Sequence, residues 1–265
     1  MDKISGRKNQ TAADNSDHQK KMEFTYSPDD PEGIPDGEAQ EAAGVYRTDP
    51  GLNNGKKQGE YTLEDYSALP DEERWELIDG YLIRMDSPTT EHQIILGDLY
   101  SAFRRCIDDL DAPCKALLSP LDVQLDMDNR TIVEPDLIVL CNSEKLRKKC
   151  IFGAPELLVE ILSPSTRSKD TIWKNRKYQR AGVREYWMVD PEKRKVLVNL
   201  FEKTEGEYRS RVYNFDEKIP VGISGGECRI DFAPILRELQ QLQNSTAAKT
   251  NTDTDREKNT VRHQL

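Results

Sequence analysis

Two acidic side chains stand where acids are costly. Asp136 follows Pro135 and opens the apolar run Leu137-Ile138-Val139-Leu140, while Glu160 lies between large apolar neighbours in Val159-Glu160-Ile161-Leu162. An ionised carboxylate buried without a partner is strongly destabilising, so acids in such strands need company. A shared divalent cation would meet that need for both. Hard cations take oxygen ligands, and Mg2+ typically uses one or two carboxylates and keeps several waters. The plainer alternative is a strand-end acid facing solvent or an arginine. Amines lie nearby. Residues 167–184 hold Arg167, Lys169, Lys174, Arg176, Lys177, Arg180 and Arg184, against Asp170 alone. Lys174, Tyr178 and Ala181 share one face of a helix, and Trp173, Lys177 and Arg180 a neighbouring one. Lys145, Arg147, Lys148 and Lys149 form a second basic cluster. Such a stripe in an acidic protein would suit a phosphate-binding groove, or simply form a solvated helix face.

Other chemistries are poorly served. Ser163-Pro164-Ser165-Thr166 has no G-x-S-x-G elbow around it, which argues against a serine hydrolase. No GxxxxGK[ST] or GxGxxG element is present, so no nucleotide cofactor is expected. The five cysteines, Cys106, Cys114, Cys141, Cys150 and Cys228, are odd in number, widely spaced and without a CxxC. Neither a zinc site nor a disulfide framework is expected from them, which fits a reducing cytoplasm.

These side chains must be positioned by a folded core. Thr62 caps a short helix with Asp65 as a capping-box-like acid, ending near Leu69-Pro70. Asp79-Gly80 between Trp75-Glu76-Leu77-Ile78 and Tyr81-Leu82-Ile83-Arg84-Met85 predicts a hairpin. Ile95, Leu96, Leu99, Ala102, Phe103 and Cys106 recur at helical steps and predict a helix from about Glu91 to Ile107. Leu121 to Asp126 alternates as a half-buried strand. Pro135–Leu140 and Glu156–Leu162 read as strands buried on both faces. A helix from about Asp170 to Ala181 ends at Gly182 in the C′ manner. Strands over 185–190, 196–201 and 208–215 and a closing helix over 231–243 complete the series. The pattern is of the α/β or α+β class, with a central mixed sheet flanked by helices.

The chain has 265 residues, 32% charged and 36% hydrophobic, with net charge −10. Residues 1–59 hold 8 Lys/Arg against 11 Asp/Glu, residues 60–240 hold 26 against 34, and residues 241–265 hold 4 against 3. The polar ends read as a disordered acidic arm (1–59) and a disordered tail (241–265), around a domain at 60–240 long enough to bury its own core. No run of eighteen apolar residues exists, so no membrane span is expected. The acidic balance argues against nonspecific DNA coating but leaves room for a local basic groove.

Several blocks together resemble the Uma-type family of the PD-(D/E)XK nuclease superfamily. They include Trp75-Glu76-Leu77-Ile78-Asp79-Gly80, Glu91-His92-Gln93, Pro135-Asp136-Leu137, Val159-Glu160-Ile161-Leu162-Ser163-Pro164-Ser165-Thr166 and Gly182-Val183-Arg184-Glu185-Tyr186-Trp187. The resemblance runs from about residue 60 to 235. It implies a restriction endonuclease-like core and a metal-dependent endonuclease acting on DNA. Asp136 and Glu160, with the carbonyl of Ile161, would hold Mg2+ or Mn2+. Leu162 stands where the superfamily motif has its lysine. The family pattern Asp-x3-Lys-x3-Tyr falls on Asp170, Lys174 and Tyr178, so Lys174 takes that role and Lys177 is a second candidate. Glu76 is a further possible ligand or an exposed strand residue. His92 is a general base, a phosphate contact or a helix-start hydrogen bonder. Arg176, Lys177, Arg180 and Tyr178 are candidate nucleic-acid contacts, with Tyr178 either stacking on a base or packing beneath Lys174. A homodimer is plausible, because cutting both strands usually takes two active sites. The competing readings are a catalytically silent nucleic-acid-binding or regulatory module on the same fold, and an interaction protein working through its acidic arm.

Overall fold

The computed structural model describes residues 55–70, 72–125, 128–164, 166–167 and 169–245. Most of the expected arm and tail, 1–54 and 246–265, lies outside the described residues. The fold begins earlier than residue 60: the Gln58 side chain donates to Leu82 O at 3.1 Å and accepts from Leu82 N at 2.9 Å. It also ends later than 240, because the closing helix continues to 245.

The elements are α1 (Leu63–Ser67), β1 (Trp75–Ile78), β2 (Tyr81–Arg84), α2 (Thr90–Asp109), β3 (Lys115–Leu118), β4 (Asp122–Gln124), β5 (Leu137–Leu140), β6 (Cys150–Phe152) and β7 (Leu157–Ile161). A π-helical turn (Lys169–Lys174) then runs into α3 (Asn175–Ala181), followed by β8 (Glu185–Asp190), β9 (Lys195–Glu202), β10 (Glu207–Asn214), β11 (Lys218–Pro220) and β12 (Arg229–Asp231). The last helix, α4, spans 233–245.

Six strands form one mixed sheet in the order β10-β9-β8-β7-β5-β3. β7 and β8 are parallel, and the other neighbours are antiparallel. A parallel pair needs a crossover connection, and here the crossover carries the π turn and α3. The long periodic helix α2 and the shorter α4 cover one face. They bury Ile95, Leu99, Phe103, Ile235 and Leu239 against Leu137, Val159, Trp187 and Val189. The alternate residues Ile138, Leu158, Tyr186 and Met188 face the other side and pack with Trp173, Tyr178 and the β1–β2 hairpin residues Ile78 and Ile83. Burial on both faces explains the unbroken apolar run in β5 and the run in β7 that only Glu160 interrupts.

The hairpin turn is built as its residues dictate. Asp79 and Gly80 have φ of 50° and 85°, both in the left-handed region that a primed turn requires. A Cβ on Gly80 would stand 2.6 Å from Gly59 O, so only glycine fits.

The cysteine expectation needs correction. The structure joins Cys106 to Cys228 and Cys114 to Cys141 as disulfides and leaves Cys150 free. Sequence spacing could not show this, because the pairs lie 122 and 27 residues apart and are brought together by tertiary packing. Cys114 and Cys141 extend by one step the β3–β5 register that sets Lys115 opposite Leu140. No helix among the described residues is long and apolar enough to cross a membrane.

Candidate active site

The β5–β7 register sets Leu137 opposite Val159, and one step further along it Asp136 meets Glu160. Asp136 Oδ2 accepts from Ile161 N at 2.7 Å and stands 3.1 Å from His92 Nε2. His92 reaches that point from the first turn of α2, where its own backbone N–H donates to the capping Thr89 hydroxyl at 3.2 Å. Asp136, Glu160, His92 and Lys174 line one cavity of about 560 Å³, with Lys169 and Asp170 beside them.

The amine comes from the crossover. Lys174 Nζ lies 2.7 Å from Glu160 Oε1, 2.6 Å from Glu76 Oε1 and 3.7 Å from Asp170 Oδ1. Burial alone would lower its pKa. The surrounding Glu160, Glu76 and Asp170 outweigh that and hold it well above the usual lysine range. Lys174 is therefore an ammonium, unsuited to be a base. Tyr178, one turn later, donates to Glu160 Oε1 at 2.8 Å. Burial raises the Glu160 pKa well above its ordinary value. Lys174 opposes that shift, while Asp170, Asp136 and Glu76 add to it.

Glu76 is fully buried. Its Oε2 meets Lys169 Nζ at 2.5 Å, and its Oε1 meets Lys174 Nζ at 2.6 Å and accepts from Glu134 N at 2.9 Å. Burial raises its pKa, but the two lysines overcome this and keep it ionised. Both oxygens are thus engaged by protein donors. Asp136 and Glu160 differ in this respect, because Asp136 Oδ1 and Glu160 Oε2 have no hydrogen-bond partner among the described residues. Asp170 Oδ1 is buried and also lacks a hydrogen bond.

Four carboxylic side chains (Glu76, Asp136, Glu160, Asp170) meet two lysines (Lys169, Lys174) in this cluster, so acids outnumber amines by two. That surplus, and the two unoccupied carboxylate oxygens facing a common cavity, fit a hard divalent cation. Among the described residues no three His, Cys, Asp or Glu side chains converge as a ready metal cluster. A site of two carboxylates, with backbone oxygen and water completing the shell, is what Mg2+ accepts.

The basic helix does not form the expected groove. Lys177 is buried and pairs with Asp79 at 2.5 Å and Asp128 at 3.6 Å. Tyr178 is fully buried against Tyr186. Neither can touch nucleic acid in this conformation, and Tyr178 packs beneath Lys174 and Glu160. Arg180 is exposed and Arg176 half-buried, but neither lines the cavity. The arginines that do line it are Arg74, Arg84 and Arg167. Each is held by an acid: Arg74 by Glu134 at 2.6 Å, Arg84 by Glu73 at 2.9 Å, and Arg167 by Asp190 at 2.5 Å and Glu192 at 3.0 Å. Spacing along the chain gave no sign of Arg74 or Arg84. Lys169 was visible only as one charge in a run, with no sign that it pairs with Glu76.

A mixed sheet that carries one acid at the end of a strand, a second opposite it and an amine on the following crossover defines a restriction endonuclease-like architecture. The comparisons agree. Residues 63–227 match the model of the Uma2 family, described as "Putative restriction endonuclease". The chain belongs to this family. Among curated proteins it is 26% identical over 161 residues to "Uncharacterized protein slr1290" of Synechocystis, which covers 60% of this chain and 82% of that one. Among solved structures it resembles a "putative nuclease belonging to DUF820" from Anabaena variabilis. That likeness has a TM-score of 0.54 at 22% identity and covers 66% of this chain and 96% of the other.

Proposed function

We propose that this protein is a metal-dependent endonuclease that hydrolyses phosphodiester bonds in DNA. The observation that carries the reading is the cluster itself: two acids from adjacent strands, each with a free oxygen on one cavity, beside a buried ammonium. Asp136, Glu160 and the Ile161 carbonyl would hold Mg2+ or Mn2+. When bound, the ion supplies Lewis-acid polarisation of a phosphodiester oxygen and a more acidic water.

The chain's own residues do the rest. His92 and the Ile161 N–H fix Asp136 through one oxygen. Tyr178 and Lys174 fix Glu160 in the same way. Lys174, held charged by three acids, stabilises negative charge that builds on the phosphoryl oxygens and orients the attacking water. Arg74, Arg84 and Arg167 line the same cavity and can exchange their carboxylate partners for substrate phosphates. DNA as the nucleic acid rests on family resemblance. A binding-only module would depend on the basic helix, whose Lys177 and Tyr178 face inward, and it has no need for four buried acids.

The test is plasmid nicking with Mg2+, Mn2+ or EDTA, comparing wild type with Asp136→Asn and Glu160→Gln. Wild type should cut with either metal and not with EDTA, and both variants should be silent. Equal activity in all three proteins would remove the enzyme reading. A parallel RNA substrate decides which nucleic acid is cut.

A further inference from the structure

Glu76 lies 93 residues from Lys169 in sequence, yet it grips two lysines at once. In an α-helix, residues five apart point about 140° away from each other. The wider π turn brings positions five apart nearly onto one side. Lys169 and Lys174 are such a pair, the first and last residues of the π-helical stretch. Glu76 Oε2 takes one at 2.5 Å and Oε1 the other at 2.6 Å. The acid is itself fixed, because it accepts from Glu134 N at 2.9 Å and sits on the tightly turned β1–β2 hairpin. Both its oxygens are engaged by protein donors, and it does not line the cavity, whereas both lysines do.

From this we infer that Glu76 is a positioning residue: it clamps the Lys169–Lys174 π turn so that both ammoniums face the cavity, and it does not ligate the cation. The inference deepens the nuclease reading and rests on it for the purpose of the clamp, though not for the clamp itself. Without Glu76 the turn is free to relax toward α-helical spacing, which swings one lysine away. A displacement of about 1 Å at a reacting centre can cost on the order of 100-fold in rate.

The experiment uses the full-length protein with Glu76→Gln and Glu76→Ala, and Asp136→Asn as reference. Three quantities are read: Mn2+ affinity by electron paramagnetic resonance titration, kcat and KM for plasmid nicking, and acylation of individual lysines by a small anhydride followed by mass spectrometry. In wild type, Lys169, Lys174 and Lys177 should all be protected. In both Glu76 variants at least one of Lys169 and Lys174 should become reactive while Lys177, held by Asp79, stays protected. Mn2+ affinity should hold, and kcat should fall about 100-fold with KM little changed.

A fall in Mn2+ affinity as large as that of Asp136→Asn would make Glu76 a ligand and overturn the proposal. So would continued protection of Lys169 and Lys174, full kcat in the variants, or loss of protection at Lys177 as well, which would mean general loosening. A wild type that neither binds Mn2+ nor cuts DNA would defeat the nuclease reading alone, because the labelling pattern would still report on the clamp.

Discussion

Removing Lys174 tests the charge balance of the whole cluster. The ammonium is 1% exposed and has carboxylate oxygens at 2.6, 2.7 and 3.7 Å. Lys174→Met keeps much of the volume and removes one of the two lysines that face the four acids. Deleting one partner of a buried ion pair costs roughly 3–5 kcal/mol. For a domain of this size that corresponds to a fall in Tm of about 6–20 °C. Glu160 is the acid left most exposed to the loss, since its pKa already lies well above the ordinary range, chiefly through burial. The folded variant should therefore hold a proton there that the unfolded chain releases. Stability then falls as pH rises above the unfolded carboxylate value of about 4.3, by about 1.4 kcal/mol per pH unit until the raised folded pKa is passed. Adding Glu160→Gln removes the acid that Lys174 faced and should recover more than half of the loss at pH 8. Urea denaturation of the single and double variants between pH 5 and pH 8, followed by circular dichroism, reads all of this. A loss under about 1 kcal/mol that is independent of pH, or a double variant weaker than the single, would refute the claim that Lys174 neutralises buried acids.

Two further outcomes follow from the walls of the site. Arg167 binds Asp190 through Nη1 at 2.5 Å and Nη2 at 3.1 Å. Burial pushes the Asp190 pKa up, but the Arg167 hydrogen bonds overcome this and hold it below its usual value. A lowered acid contributes stability above the unfolded carboxylate range and loses it as pH falls through the folded pKa. Arg167→Ala should thus cost about 1 kcal/mol at neutral pH and little near pH 3, as urea melts at the two pH values will show. Gly80→Ala forces a Cβ to within 2.6 Å of Gly59 O at a φ of 85°. It should destabilise the fold by roughly 1–3 kcal/mol in thermal melts.

Local signals in the sequence were readable because they are settled within a few residues. The Asp79-Gly80 turn, the Gly182 cap with φ 79° and the periodic face of α2 need no distant partner. The acids were readable for a different reason. Glu76 in Trp75-Glu76-Leu77-Ile78 and Glu160 in its apolar strand are improbable unless something charged meets them. What met them was not readable. Lys169 and Lys177 are joined to Glu76 and Asp79 from 93 and 98 residues away. A run of lysines on a helix looks the same whether it is solvated or turned onto buried acids. The π turn had no local signature, so the expected helix from Asp170 to Ala181 blurred a six-residue widening into ordinary α-helix. The disulfides and the short parallel pair β4–β6 depend on tertiary packing in the same way.

The leucine at position 162 has a physical setting. A lysine at position 162 would sit two residues after Glu160, on the same side of β7. Leu162 fills that place, is 7% exposed and packs with Trp173, Val183 and Met188 in the second core cluster. An amine there would replace apolar contacts at the edge of the cavity that Leu162 helps to line. Entry from the crossover keeps those contacts, because Lys174 arrives among Glu76, Glu160 and Asp170. It does so only if the turn before α3 is wide enough to send Lys169 and Lys174 the same way. The leucine at 162, the π turn and the buried acid on β1 are therefore one arrangement. Adding Leu162→Lys should not restore plasmid nicking to Lys174→Met, because Lys174 is held by Glu76, Glu160 and Asp170 together.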